Sequence, residues 1–226
     1  MAIATAHGEK LDLYKQRPEF FTARKQPMLV DLPEAAFLVV DGTGTPDGPM
    51  FQNAIGALYY AAYTMKFAGK KLGHDFKVPT FEGAWWVFSD AGEYLPREQW
   101  RWQLHMMVPD YITQADLEAT LAELARKGKS PAVPVRLERI RQGLCVQVMH
   151  VGSYAAETET IERMLAFMKE QGLRPRGPHH EVYIGDPRRT APERLKTLLK
   201  WPVERAKCGA LREAALSVEK LLAPMP

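Results

Sequence analysis

The chain has 226 residues, of which 46% are hydrophobic and 25% charged, a balance typical of a globular domain and not of a disordered chain. Its formal net charge of +3 provides no basic stripe of the kind that binds nucleic acid. The sequence contains neither an apolar stretch long enough to span a membrane nor a secretory leader. Its two cysteines, Cys145 and Cys208, lie far apart and outside any metal-ligand spacing, which favours a reducing compartment. We therefore expect a cytoplasmic protein that has neither a membrane nor a nucleic acid as partner.

The first half of the chain predicts a strand, a helix and two further strands after a mixed leader. The apolar run at 35–41 indicates a strand, and the three- and four-residue spacing of apolar side chains over 51–65 indicates a helix. The segments 78–89 and 100–108 indicate two strands, the second with strict alternation of apolar and polar residues.

The second half repeats much of this order. A capping box at Thr113 begins a helix that glycine ends at 128. The remaining predicted elements are strands at 135–141 and 144–151 joined by a turn at Gly143, a helix around 161–168, a strand at 179–184, a capped helix from Thr190 to Lys200, and a last helix over 210–222.

The repeated order predicts one α+β domain built from duplicated strand-helix-strand-strand modules. We expect a leader at 1–33, a first module at about 34–130, a second module at about 131–206 and a helical tail at 207–226. Joined edge to edge, the modules would form an antiparallel sheet with helices on one face. A ligand cleft between the halves is then expected on the other face.

Two side chains in the predicted strand 179–184 are our candidates for chemistry. Because neighbouring residues on a strand point to opposite faces, Glu181 and Tyr183 share one face while Val182 and Ile184 share the other. With the aliphatic pair packed under the helices, Glu181 and Tyr183 would face the cleft as catalytic residues. A carboxylate among aromatic rings attracts a cation and can position or deprotonate a water molecule. The alternative is a glutamate at a strand edge, paired with a surface arginine.

An aromatic cage around this carboxylate is the second prediction. Flat rings hold planar ligands by offset stacking, and four of the five tryptophans fall within a short stretch that includes Trp85 and Trp102. The alternative for each tryptophan is an ordinary core position, and only one of Trp85 and Trp86 can face the cleft. The predicted ligand-binding residues are Trp85, Trp102, Tyr154, Tyr63, His150 and His179, the two histidines as proton-transfer partners of the carboxylate. No spacing completes a metal site, so we expect neither a metal nor a cofactor.

Several motifs resemble the GyrI-like small-molecule-binding family. They are Glu181-Val-Tyr-Ile-Gly-Asp-Pro-Arg-Arg-Thr-Ala-Pro-Glu-Arg-Leu-Lys-Thr-Leu-Leu-Lys200 with Trp201-Pro-Val203 behind it, Phe76-Lys-Val-Pro-Thr-Phe-Glu-Gly-Ala-Trp-Trp86, Trp102 followed by Val108-Pro-Asp110, and His150-Val-Gly-Ser-Tyr154. The resemblance covers roughly 18–206 and implies two strand-helix-strand-strand modules about a pseudo-twofold axis. It also implies hydrophobic ligands held beside a buried acidic residue, as in the effector domains of multidrug-sensing regulators.

This chain resembles one stand-alone branch of that family, because we expect no helix-turn-helix before residue 34. Its members are cyclopropanoid cyclopropyl hydrolases, which open DNA-alkylating drugs of the yatakemycin type. The resemblance thus implies a hydrolase that detoxifies cyclopropane-bearing electrophiles. Two alternatives stay open, namely a non-catalytic protein that binds or senses planar hydrophobic or cationic small molecules, and a protein that acts on a macromolecule such as a topoisomerase. The sequence does not specify the oligomeric state.

Overall fold

The computed structural model describes residues 10–89 and 94–206. The strands in this part of the chain are β1 Leu11–Asp12, β2 Met28–Thr43, β3 Phe76–Lys77, β4 Phe81–Trp86, β5 Arg101–Val108, β6 Arg136–Val151, β7 Leu173–Pro175, β8 His179–Tyr183 and β9 Lys196–Arg205. The helices are α1 Leu13–Gln16, α2 Pro49–Lys71, α3 Gln114–Arg126 and α4 Glu157–Glu170. None of these helices is both long and apolar enough to cross a membrane.

Six antiparallel strands form a sheet that closes on itself. The strand order is β6-β2-β5-β4-β8-β9, and β9 also pairs with β6, so the sheet has a barrel-like form. Strand β7 pairs antiparallel with the last three residues of β9, while β1 and β3 make a separate parallel pair. Closure leaves the six strands without a free edge along most of their length.

The duplication predicted from the order of elements is confirmed. The first module is β2-α2-β4-β5 and the second is β6-α4-β8-β9, with β2 and β6 paired antiparallel along almost their whole length. Helix α3 connects the modules and begins with the predicted capping box, in which the Thr113 hydroxyl accepts from the backbone N–H of Asp116. The fold is therefore of the α+β class.

Both sides of the sheet are buried. On the outer side, one apolar cluster lies under α2 and a second under α4. On the inner side, a third cluster joins the strands to Leu13, Phe20 and Phe21 of the leader. The neighbours Leu38 and Val39 point to opposite sides and are both fully buried. Burial on two sides explains why the central strands read as continuous apolar runs.

The prediction of a helix from Thr190 to Lys200 is wrong. Residues Pro192–Arg194 form a single 3-10 turn, and β9 follows from Lys196. The capping-box letters and the basic residues suggested an amphipathic helix. In fact Lys200 is a fully buried residue of a strand that is covered on both sides, so its charge gave no sign of solvent exposure.

Three other boundaries differ from the prediction. Gly143, with a φ of 70°, bends one long strand, β6, instead of reversing the chain between two. Residues 28–33 belong to β2 and not to the leader. Strand β4 ends at Trp86, before residue 89. The predicted helix over 210–222 lies outside the described residues.

Candidate functional site

Strand β8 places Glu181 and Tyr183 on the outer side of the sheet, where the helices pack. Leu199 lies directly opposite Glu181 on β9 and belongs to the cluster under α4. Val182, in contrast, is buried on the inner side with the leader. The prediction that Glu181 and Tyr183 share a face holds, but its assignment of the helices to the Val182 side was wrong, because both sides of this strand are covered.

Both oxygens of the Glu181 carboxylate have partners. The Tyr183 hydroxyl donates to Oε2 at 2.8 Å, and His179 Nε2 lies 2.8 Å from Oε1. The indole N–H of Trp85 in turn donates to the Tyr183 hydroxyl at 3.2 Å. The three residues of β8 can meet in this way because side chains two apart on a strand point the same way. The Glu181 side chain keeps 16% of its surface exposed.

A second carboxyl group, Glu157, adjoins this site and was not predicted from the sequence. It is the first residue of α4 and is 7% exposed. Burial, together with the charge of Glu181, raises the pKa of Glu157 to about 9. This raised pKa favours the protonated, neutral form of Glu157 at neutral pH. In sequence it looks like any acidic residue in the first turn of a helix, where the helix dipole favours it.

Two buried polar atoms beside the site lack a hydrogen-bond partner within the described residues. They are Oε1 of Glu157 and the hydroxyl oxygen of Thr197, which stands opposite Tyr183 on β9. Buried polar atoms are nearly always paired in folded proteins. The two groups adjoin each other, since the Thr197 side chain is one of the groups that act to lower the pKa of Glu157, and a bound ligand or water molecule would complete their hydrogen bonding.

Aromatic rings lie beside the two carboxyl groups. The ring of Tyr183 lies 4.9 Å from that of Phe81 and 6.0 Å from that of Tyr154, the latter edge to face. Burial raises the pKa of Tyr154 to about 12, and burial with the nearby Glu181 charge raises the pKa of Tyr183 well above its usual value. Both phenols are therefore hydrogen-bond donors at neutral pH.

Trp85 and Trp102 occupy different positions relative to this site. Trp85 stacks on Phe51 at 5.4 Å and reaches Tyr183, while Trp102 is 1% exposed and meets the edge of Phe51 at 5.1 Å. The indole of Trp102 lies over Gly42, where a Cβ atom would come within 2.0 Å of it. Trp102 touches the Glu181 group only through other rings, and its contact with a ligand stays a prediction.

The two predicted histidines also differ. His179 contacts Glu181 directly, whereas His150 is 5% exposed and is held by the Thr160 hydroxyl at 2.9 Å and the Ser153 carbonyl at 3.0 Å. Those contacts tie the end of β6 to the beginning of α4. A proton-transfer role for either histidine stays a prediction. The predicted Tyr63 lies on the flank of α2, 43% exposed, and connects to the site through Tyr59.

A polar cluster on the inner side of the barrel was also not predicted. Oε1 of Glu82 lies 3.2 Å from His105 Nδ1 and 3.0 Å from His180 Nδ1, and these ligand-type atoms are close enough together to hold a metal ion. Lys200 Nζ, however, donates to Oε2 of the same carboxylate at 2.5 Å, and the Gln142 amide donates to Oε1. The carboxylate thus already has a cation of its own.

A separate cavity of about 530 Å³ opens where β2 and β4 end and β5 begins. Its lining includes Trp86, Trp102, Arg101 and Asp41 but not Glu181 or Tyr183. Of the adjacent tryptophans, Trp86 therefore faces this cavity and Trp85 faces the carboxyl groups.

The duplicated fold, with carboxyl groups beside aromatic rings, is that of a small-molecule-binding domain. A sequence model of the GyrI-like small molecule binding domain matches residues 113–204. An uncharacterised conserved protein from Listeria innocua, known from its crystal structure, is 39% identical in sequence to this chain, and the two structures superpose with a TM-score of 0.78. The match covers 86% of this chain and 100% of that one. A structure described as a hydrolase, from the same organism, is 37% identical with a TM-score of 0.76, again over 86% and 100%. The chain belongs to the GyrI-like family of small-molecule-binding domains. No curated protein matches its sequence.

Proposed function

We propose that this protein binds planar hydrophobic or cationic small molecules between Glu181, Glu157 and the surrounding rings, and that it hydrolyses cyclopropane-bearing electrophiles among them. The observation that supports this most is the pair of carboxyl groups at one aromatic site, one of them held neutral. Such a pair supplies an acid and a base at the same pH. Detoxification of reactive xenobiotics in the cytoplasm is the role that this activity would serve.

The reaction would use the two carboxyl groups in different roles. Glu181 would take a proton from a water molecule as its oxygen attacks the ring CH₂ of a cyclopropane conjugated to a carbonyl group. The C–C bond breaks, its electron pair moves to the carbonyl oxygen, and Glu157 or the Tyr183 hydroxyl gives that oxygen a proton. The product is the substrate plus one water molecule. Enclosure by Phe81, Tyr154 and Tyr183 would hold the planar substrate by offset stacking.

The relatives are consistent with an enzyme. Two Listeria innocua structures, 37% and 38% identical to this chain, are described as hydrolases, and the chain spans all of each. The substrate proposed here rests on the resemblance of the motifs and on the chemistry of the site.

Mass spectrometry of a yatakemycin-type cyclopropanoid tests the proposal. We expect wild type to convert the drug, over many turnovers, to a product heavier by one water. Glu181→Gln, which keeps the shape and removes the charge, should lose this turnover and still bind neutral planar ligands. Glu159→Gln, an equivalent change at an exposed position of α4, is the matched control and should react like wild type.

The same experiment separates the enzyme from a binding protein. An unchanged drug that co-elutes with wild type would exclude hydrolysis and favour the second candidate, a non-catalytic binder of planar cations. That candidate is supported by the Glu181 carboxylate beside the aromatic rings, which would attract a cation whether or not chemistry follows. Equal turnover and binding by Glu181→Gln and wild type would exclude Glu181 from both functions.

A further inference from the structure

Three aromatic side chains form a ladder along one flank of α2, at four-residue spacing. The rings of Tyr59 and Tyr63 lie 6.2 Å apart at 26°, and those of Tyr63 and Phe67 lie 6.2 Å apart at 28°. Their exposure increases along the helix, from a half-buried Tyr59 to 43% at Tyr63 and 56% at Phe67. Contacts between aromatic residues four apart stabilise a helix only slightly, so they do not explain why two of these rings lie exposed to solvent.

The ladder is continuous with the candidate site. Tyr59 meets Phe81 edge to face at 6.4 Å, and Phe81 meets Tyr183 at 4.9 Å. An unbroken series of ring contacts therefore leads from the hydrogen-bond partner of Glu181 to the outer end of α2. Contiguous exposed apolar surface of this kind marks binding surfaces far more often than a scattered exposed ring does.

The two ends of the series differ in charge. At the inner end stand Glu181 and Glu157, whereas at the outer end the Lys66 ammonium lies 5.8 Å from the centre of the Phe67 ring. Lys66 is held there by an ion pair with Asp75. A positive group on the ligand is therefore favoured at the inner end, whereas the Lys66–Asp75 pair gives the outer end no net charge that would attract it.

We infer that the ladder of Tyr59, Tyr63 and Phe67 is an outer subsite that stacks the distal arm of an elongated ligand. The ligand class is a chain of linked aryl units with a cationic or electrophilic head at the carboxyl groups and an uncharged arm along α2. This inference rests on the proposed function, since it takes the head of the ligand to bind at Glu181. It makes Tyr63 and Phe67 determinants of specificity for ligand length.

Two probes with the same amidinium head group test the ladder. They are benzamidinium and the linear para-terphenyl amidinium. Isothermal titration should show that wild type binds the terphenyl at least tenfold more tightly. The double variant Tyr63→Ala/Phe67→Ala should lose most of this gain, since about 0.5–1.5 kcal/mol per ring pair amounts to roughly tenfold for two. Its affinity for benzamidinium should stay within twofold of wild type.

Tyr60→Ala is the matched control. Tyr60 is 54% exposed on the same helix and makes no ring contact with the ladder among the described residues. The same loss of terphenyl affinity in this variant would overturn the inference, as would a double variant that keeps the full gain. A wild type that binds both probes equally would also overturn it while leaving the proposed function intact. A wild type that binds neither probe would contradict both.

Discussion

At the residue scale, Glu157 and Glu181 show how one side-chain type takes two roles in a single site. Glu181 is held by hydrogen bonds from its own strand, and Glu157 is buried at a helix start with one oxygen unpaired. Burial beside a like charge favours the protonated form of Glu157. Functional sites commonly keep such unfavourable arrangements, which cost stability elsewhere in the pH range.

Replacing Glu157 with glutamine should reveal that cost. The folded-state pKa of about 9 exceeds the unfolded value, so the stability that Glu157 provides is complete below about pH 4.5 and is lost as the pH rises through 9. Glutamine does not titrate. We therefore expect Glu157→Gln to gain stability relative to wild type between pH 5 and pH 8, by up to about 4 kcal/mol. Denaturant unfolding of both proteins at pH 5 and at pH 8 measures this difference in stability.

The exposed Glu159→Gln variant provides the reference for that experiment. It should track wild type at both pH values, because the Glu159 side chain is exposed on α4 and lies outside the buried site. A stability difference between Glu157→Gln and wild type that does not change with pH would show that Glu157 is not protonated in the folded protein.

At the element scale, the site depends on a glycine in β4. Gly83 stands opposite Glu181, and its backbone is not in the left-handed region, so alanine fits the local conformation. A Cβ atom there would lie 2.8 Å from the indole nitrogen of Trp85 and 3.3 Å from the Tyr183 hydroxyl. The absent side chain is thus what lets Trp85 and Tyr183 meet over the strand.

Gly83→Ala should therefore damage binding more than folding. Displacing the indole breaks its hydrogen bond to Tyr183, and we expect about tenfold weaker binding of benzamidinium with a loss of about 1–3 kcal/mol in stability. Calorimetric titration and thermal unfolding measure the two effects. Gly56→Ala in α2, where the nearest atom is 4.0 Å from the new Cβ, is the control and should bind normally. Normal binding by Gly83→Ala would exclude the Trp85–Tyr183 contact from the site.

At the scale of the whole molecule, the barrel is joined across its interior by the Glu82–Lys200 pair, whose members are 118 residues apart. Burial alone would raise the pKa of Glu82, but the Lys200 charge and the hydrogen bonds from His105 and His180 hold it well below its usual range. Burial lowers the pKa of His180 to about 4. Because both pKa values are lowered by folding, Glu82 and His180 favour the folded state at neutral pH. This stability is lost as the pH falls, and for His180 the loss occurs between pH 6.5 and about pH 4.

Replacing one member of this ion pair should destabilise the protein strongly. Lys200→Met leaves a buried carboxylate without its cation, and we expect a loss of about 3–5 kcal/mol in the free energy of unfolding. The double variant Glu82→Gln/Lys200→Met should recover much of that loss, because neither charge is then left alone. Urea denaturation of both variants measures the coupling.

Arg139→Met removes one partner of an exposed pair between β6 and β2 and should cost no more than about 1 kcal/mol. It controls for loss of a positive charge on a strand. A Lys200→Met variant as stable as this control would mean that the interior pair contributes little, and a double variant worse than either single change would contradict the coupling.

The sequence by itself determined the local elements and the pairing of side chains within them. Helical spacing located α2, α3 and α4, and alternation located β5, because these periods follow from backbone geometry alone. The same geometry placed Glu181 and Tyr183 on one face before any fold was known, and their motif indicated the family.

The tertiary structure decided the rest. Closure of the barrel covered both sides of β9, so Lys200 lies inside a strand where its charge had suggested a solvated helix. Closure also set which side of β8 carries the helices, and it brought Glu157 of α4 to Glu181. None of these is encoded in a local period, because each depends on which distant segments pair. The pKa of Glu157 depends on burial by the whole fold, and burial is a property that no stretch of sequence has alone.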